Sequence, residues 1–338
     1  MDFGTTAEQD ELRDAEKGWL TRHDPIARVR EKPDTAVELD TAAVTHAADS
    51  GLLALLTADM GGSHTDLAVL SEAHGYAASA LPLADLALGT WLLSSLGLPE
   101  AADAESGQLL VSVVQGPVAS LAGHQLVLTG ESGPIPMASD IDRFIVVGEY
   151  PGGQYAAVRD RSGLRQLATL DLTRTWGRLQ LDGAAQPWMP LPVGMLGHLG
   201  DALALHRAVD SVGAAARLLE MTVTYAGQRE QFGVPIGSFQ AVKHHCANMA
   251  LKVEASRAVC WSAALALGNA PDASEQAVAA ACAYAKAATS EVASTALQVH
   301  GGIGFTWEHD LHLLLRRIKV NEAFNGSVAV HRRTLVRS

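Results

Sequence analysis

Cysteine, aromatic residues and positive charge are all scarce in this 338-residue chain. The three cysteines, Cys246, Cys260 and Cys282, are odd in number and widely spaced. They predict neither a disulfide framework nor a metal site, and they read as small core residues of a cytoplasmic protein. Lys and Arg total 25 against 37 Asp and Glu, leaving a formal charge of −12. A nucleic-acid partner needs a basic footprint, so that class is excluded. No apolar run is long enough for a membrane span. Met1-Asp2-Phe3 leads into acidic sequence rather than a basic region and an apolar stretch, which predicts no secretory signal. Aromatics are only 5% while alanine is abundant and hydrophobic residues reach 48%. That balance predicts a globular protein with more helix than sheet.

A chain of this length divides into two or three lobes, and three regions are visible. Residues 1–105 read as helices. Thr6 with Gln9 forms a capping-box pattern ahead of Leu12 and Leu20. A second helix runs from Thr41 toward Leu53 and is broken by Asp59-Met60-Gly61-Gly62-Ser63. A third covers Leu67 to Ser79. Residues 106–194 carry short β-rich runs at 111–114, 125–128, 144–147 and 154–158. Gly and Pro turns separate them, as in a small antiparallel barrel or sandwich. Residues 195–338 return to helical periodicity at 197–228, 238–267, 274–299 and 308–319. Turns at Gly233-Val234-Pro235 and Gly268-Asn269-Ala270-Pro271 punctuate them, which predicts a four-helix bundle. The fold class is α+β, with a helical, a β and a helical domain in that order.

Two segments carry chemistry. In Gln228-Arg229-Glu230-Gln231-Phe232-Gly233-Val234-Pro235, an Arg suited to gripping two oxygens of an anion ends one helix, and Gln240 opens the next. In Gln298-Val299-His300-Gly301-Gly302-Ile303-Gly304-Phe305, consecutive glycines let backbone N–H groups approach a phosphate or ribose. Each alone is also an ordinary helix end with a turn. Together, about 65 residues apart, they resemble the acyl-CoA dehydrogenase family. Its members carry an Arg-x-(Gln/Thr)-Phe-Gly-x-Pro turn with a downstream Gln, then Gln-x-x-Gly-Gly-x-Gly. Met1-Asp2-Phe3 with Glu8-Gln9, and Gly51-Leu52-Leu53 with Gly61-Gly62, resemble further family landmarks. The resemblance implies that family's fold, with an N-terminal helical domain, a middle β-barrel domain and a C-terminal four-helix bundle. It also implies FAD as cofactor, an acyl-CoA substrate and electron-transfer flavoprotein as electron acceptor.

In this family the flavin lies at a subunit interface, and the resemblance divides its contacts into a donated and a held set. The donated set is present as Arg229, Gln231, Phe232, Gln240, Gln298, Gly301 and Gly302. The held set is eroded. Val114 to Ser120 stands where a Thr-Glu-Pro-x-x-Gly-Ser-Asp loop belongs, and Gly130 to Met137 lacks the expected Trp. Phe324-Asn325-Gly326-Ser327-Val328-Ala329 replaces Tyr-Glu-Gly-Thr-x-Gln. Ser327 keeps one hydrogen bond for the cofactor. Asn325 occupies the usual position of the catalytic Glu, and a carboxamide accepts no proton near neutral pH. The other family position for that Glu is Leu203, with Asp201 and His206 close in sequence. The pattern resembles the short, non-catalytic chain of actinobacterial α2β2 acyl-CoA dehydrogenases of steroid side-chain breakdown. Such a chain completes the FAD site of a catalytic partner. Two other readings stay open: a homo-oligomeric enzyme with a displaced base, and a flavin-free scaffold or regulatory protein. No metal site is predicted, since His244-His245 diverge on a helix and His309 with His312 offer only two clear ligands. Arg316-Arg317, Lys319 and Arg332-Arg333 read as solvated faces or interface charges, and Trp176 after Arg174 as packing in the β domain.

Overall fold

A computed structural model describes residues 4–31, 35–269 and 271–337, with the backbone alone for 271–273 and 337. Met1-Asp2-Phe3 and Ala270 lie outside the described residues. Among the described residues, five α-helices come first: α1 (Ala7–His23), α2 (Thr41–Asp49), α3 (His64–Ala77), α4 (Leu83–Ser95) and α5 (Ala101–Glu105). The capping box at α1 forms as its sequence predicts. Thr6 Oγ1 accepts from the Gln9 amide at 3.2 Å, and Gln9 Oε1 accepts from the Thr6 amide at 2.9 Å. α2 stops at Asp49 rather than running on to Leu53, because Gly51 turns left-handed at φ +70°.

Nine strands follow: β1 (Val111–Gln115), β2 (Ser120–Ala122), β3 (Gln125–Glu131), β4 (Ile135–Pro136), β5 (Arg143–Tyr150), β6 (Gly153–Arg159), β7 (Leu164–Gln166), β8 (Trp176–Gln186) and β9 (Met189–Pro190). They form one sheet of order β1-β5-β6-β9 and another of order β2-β3-β8-β4, with β7 on β8. Most pairs are antiparallel, but β1 and β5 run parallel. Leu126, Leu128, Phe144, Val146 and Leu179 from the two sheets share a core with Leu67, Leu70 and Leu86 of the N-terminal helices. The sheets and the first lobe are therefore one packed body.

The C-terminal region contains α6 (Met195–Gln228), a hairpin of β10 (Glu230–Gln231) and β11 (Val234–Pro235), then α7 (Gln240–Asn269), α8 (Pro271–His300), α9 (Leu311–Ala323) and α10 (Val328–Arg337). Four of these helices match the periodic segments in the sequence. The fifth, α10, packs on α8. With 34 residues, α6 spans ~50 Å at 1.5 Å per residue and is the axis of the molecule. α3 lies against it almost backbone to backbone. A Cβ on Gly75 would come within 1.9 Å of Asp210 O, and one on Gly213 within 2.0 Å of Glu72 O.

A buried ion cluster joins the lobes. Arg317 of α9 donates to Asp210 of α6 at 2.8 and 2.6 Å, and to Ser79 O and Thr173 Oγ1. Arg174, just before β8, reaches the same carboxylate at 3.3 Å, and Asn321 donates to it at 2.7 Å. This corrects the expectation of a solvated Arg317, which is 0% exposed. On α9 it shares a face with buried Leu313, Leu314 and Asn321, three or four residues away. Its counter-charge comes from a helix 107 residues earlier.

Candidate functional site

The two glycine-containing motifs meet at one end of the bundle. In the last turn of α6, Tyr225 stacks its ring on His300 at the end of α8 with centroids 4.4 Å apart, and its hydroxyl donates to His300 O at 3.5 Å. That contact sets the turn after α6 beside the turn after α8. The β10–β11 hairpin reverses through Phe232 (φ 55°) and Gly233 (φ 78°), and the Ile236 amide closes it on Arg229 O at 2.7 Å. Two left-handed residues in succession make the tight turn that glycine favours. Its geometry projects Phe232 into solvent at 94% exposure, in edge contact with Phe239. Gln231 donates locally to Glu230 O, and Gln240 is exposed in the first turn of α7.

This face is open to solvent. Arg229, Gln298, Gly301 and Gly302 are all exposed. Among the described residues no carboxylate lies within ion-pair range of Arg229. Gly301 takes φ +63°, which accounts for its being glycine, but Gly302 takes no such angle and a Cβ there would meet nothing within 4 Å. Internal packing therefore does not require glycine at 302, and the position leaves room for an outside group to approach the backbone. An exposed guanidinium with no carboxylate partner could hold an anionic group such as a pyrophosphate.

The opposite condition holds around Leu203 and Asn325. Leu203 lines a small cavity of about 20 Å³ with His206, Arg207, Leu83, Asp85 and Asp210, room for about one water. Arg207 fills the space. It grips Asp85 of α4 at 2.8 and 3.0 Å, lies 5.2 Å from the Trp176 ring centroid, and donates through Nε to Asn325 Oδ1 at 3.4 Å. Phe324 sets its ring edge on Trp176, with centroids 4.8 Å apart. Trp176 is thus buried in the β region, as expected. The turn carrying Asn325 is fixed from below by Lys286, fully buried, which donates to Phe324 O at 2.7 Å, Asn325 O at 3.4 Å and Gly326 O at 2.5 Å. Burial pushes the Lys286 pKa down to about 8, against the opposing influence of Cys282. Asn325 (φ 53°) and Gly326 (φ 85°) are both left-handed, and Ser327 Oγ accepts from the Val330 amide at 3.4 Å, capping α10.

Neither sequence neighbour of Leu203 is placed as a base. Both ring nitrogens of His206 are engaged, Nδ1 with Ser71 and Nε2 with His64, and burial holds its pKa well below the usual histidine value. Asp201 is absent from the chamber wall. Burial, with the Glu275 charge, raises it to about 6. The loop at 116–119 is also spent internally: the Gly116 amide donates to Val147 O, the Ala119 amide to Glu149 O, and Pro117 O accepts from Tyr155.

Arg207, Asp85 and Lys286 carry no sequence signal, since each sits alone in apolar helical sequence and its partners are distant in the chain. His309 turns its edge to His300, while His312 packs on Trp307. Among the described residues no group of three potential ligands is positioned for a metal. His244 is exposed and His245 partly so. Cys260 and Cys282 are buried as expected, but Cys246 is half-buried, and all three are free.

Helices, two sheets and a helical bundle, in that order and with the paired turns at the bundle's end, define an acyl-CoA dehydrogenase fold. A family model for the acyl-CoA dehydrogenase C-terminal domain matches residues 202–338. Acyl-CoA dehydrogenase IpdE2 of Mycobacterium tuberculosis is 35% identical over 263 residues, covering 76% of this chain and 72% of that protein. The IpdE2 of Mycolicibacterium smegmatis is 34% identical over 258 residues, covering 76% and 73%. Among solved structures, a chain of the ChsE4–ChsE5 complex from M. tuberculosis superposes with a TM-score of 0.88 at 26% identity, covering 100% of this chain and 98% of that one. The Tcur3481–Tcur3483 steroid ACAD shares the fold at 24% identity, with a TM-score of 0.86 and coverage of 98% and 97%. The chain belongs to the acyl-CoA dehydrogenase family, whose members are FAD-dependent oxidoreductases. Among the described residues no helix is long and apolar enough to cross a membrane.

Proposed function

We propose that this chain is the donor subunit of a heteromeric acyl-CoA dehydrogenase. It completes the FAD site of a catalytic partner and performs no dehydrogenation at its own Leu203–Asn325 position. The observation that carries this reading is the contrast between the two regions. The donor face is exposed and uncompensated, while the chamber where a base would stand holds about 20 Å³ and an Arg207–Asp85 ion pair. An acyl thioester and an isoalloxazine need several hundred cubic ångströms.

FAD, when bound, supplies the acceptor for the hydride that leaves the acyl β-carbon. This chain's part is positioning. Arg229 offers two N–H donors to the pyrophosphate, and the amides at Gly301 and Gly302 offer further ones. Gln231, Gln240 and Gln298 add side-chain hydrogen bonds, and Phe232 places an apolar ring against the neighbour. Ser327 retains a hydroxyl, whose oxygen accepts from the Val330 amide in the first turn of α10. The partner subunit provides the carboxylate that removes the α-proton, in an α2β2 assembly, and electron-transfer flavoprotein takes the electrons. The heteromeric ChsE4–ChsE5 relative favours such an assembly, and the steroid ACAD relative favours a steroid side-chain thioester as substrate.

Purified alone, the chain should carry little flavin and oxidise no acyl-CoA. Co-expressed with a full-length family member bearing the Glu, it should yield yellow, active protein. Stoichiometric FAD and acyl-CoA oxidation in the chain alone would overturn the reading.

A further inference from the structure

Between α3 and α6 lies a side-chain array that neither the donor face nor the chamber uses. His64 Nδ1 is 3.2 Å from His206 Nε2, and His64 Nε2 is 3.2 Å from His198 Nε2. Beyond His206, its Nδ1 is 3.3 Å from Ser71 Oγ. His64 and His206 are buried. His198 is half-buried and, with Trp91 and His64, lines an open cleft of about 290 Å³.

The polarity of the array follows from its inner end. The single hydroxyl proton of Ser71 goes to Leu67 O at 2.7 Å, so Ser71 accepts from His206 Nδ1–H. The bare Nε2 of His206 then accepts from His64 Nδ1–H, and the bare Nε2 of His64 accepts from His198 Nε2–H. Every contact is satisfied with all three rings neutral. One added proton is accommodated at His198, whose Nδ1 takes no part in the array. A second has no such place, because protonating His64 or His206 sets N–H against N–H.

The surroundings give a second proton no compensation. Arg207 of α6 adds positive charge beside His206 and is itself paired with Asp85 of α4. Asp66 of α3 is turned to Ser63 and Gln9, and Glu16 of α1 is bonded to His46 and His74. The wall contributed by α7 at Ala264, Leu265, Leu267, Gly268 and Asn269 has no titratable side chain. Burial, then the neighbouring imidazole, lowers His64 to about 4, and burial lowers His198 and His206 as well.

We propose that Ser71, His206, His64 and His198 form a pH-sensitive catch between α3 and α6, closed while the array holds at most one proton and released by a second. It acts on the seam where Gly75 and Gly213 bring the two backbones together, so its release frees α3 from the bundle. The sign follows from linkage. In the released form His64 titrates near the ordinary 6.5, against about 4 in the closed form. Closure is therefore fully favoured above pH 6.5 and is lost as pH falls toward 4. One ring alone raises the opening constant about thirtyfold between pH 7.5 and 5.

The test is hydrogen exchange of α3 amides in the full-length chain at pH 7.5 and 5, corrected for intrinsic exchange, alongside NMR titration of the histidine rings. The expected result is an opening of α3 that rises about thirtyfold in step with protonation of the array. His64→Gln, which keeps a donor and an acceptor but cannot charge, should remove most of that rise. The proposal is overturned if His64→Gln opens with the wild-type pH dependence. Opening of the wild-type α3 while all three rings remain neutral, or an α3 indifferent to pH over this range, overturns it equally. The wild-type measurement decides the matter even if the variant fails to fold.

Discussion

Arg229 and Arg317 are the same residue type, one capping the end of α6 and one midway along α9, and the structure gives them opposite settings. Arg317 is enclosed by Asp210, Ser79 O and Thr173, so its removal strands a buried carboxylate. Arg229 is exposed and faces no carboxylate among the described residues, so its removal costs the chain itself within about 0.5 kcal/mol. On the donor-subunit reading, Arg229→Ala in the co-expressed complex should weaken FAD retention by about tenfold to a hundredfold. Arg229→Lys should recover part of it, as a point charge without the bidentate fork. Flavin absorbance per mole of complex after dialysis, set beside the melting temperature of the chain alone, separates the two roles. A variant that keeps wild-type flavin would remove Arg229 from the cofactor site.

Long amphipathic helices and tight glycine turns were legible in the sequence because their signals are local. α6 and α7, the Phe232-Gly233 reversal and the Gly301-Gly302 turn all follow from periodicity and turn chemistry within a dozen residues. β8 was not legible. Its inward Leu179 and Leu181 alternate with Arg178 and Gln180, but glycines at 177 and 183 resemble turn signals. The small cavity at Leu203 was harder still, since Arg207 and Asp85 are 122 residues apart and neither announces the other. The α3–α6 seam likewise depends on two glycines inside helices, where glycine ordinarily costs about 1 kcal/mol against alanine. Packing reverses that preference. At Gly213 a methyl group would come within 2.0 Å of Glu72 O, backbone that has no rotamer to change. Gly213→Ala should therefore destabilise the chain by about 3 kcal/mol despite its better helix propensity. Urea unfolding followed by circular dichroism measures it, and a neutral or stabilising result would mean that the helices separate freely.

Across the whole molecule, the three regions read from the sequence are held together by few polar groups. Asp210 takes Arg317 and Asn321 from α9 and Arg174 from the edge of the β region. Both arginines also donate to Ser79 O, beyond the end of α3. A buried cluster of this kind adds little net stability over an apolar equivalent, because desolvation offsets most of the Coulomb gain. Its effect is on specificity: one arrangement of the lobes satisfies all of its donors. Breaking it from one side is costly, since two buried guanidinium groups then share a neutral amide. Asp210→Asn, nearly isosteric, should lower stability by about 3–5 kcal/mol. Trp176 packs beside this junction and lies against Arg207, so in a background where the other tryptophans are replaced by phenylalanine its fluorescence reports on the junction while circular dichroism reports on the helices. With Asp210 intact the two signals should unfold together. In Asp210→Asn the fluorescence transition should move to lower urea than the circular dichroism transition, with the β region parting from the bundle first. Coincident transitions in the variant would show instead that the shared apolar core alone couples the lobes.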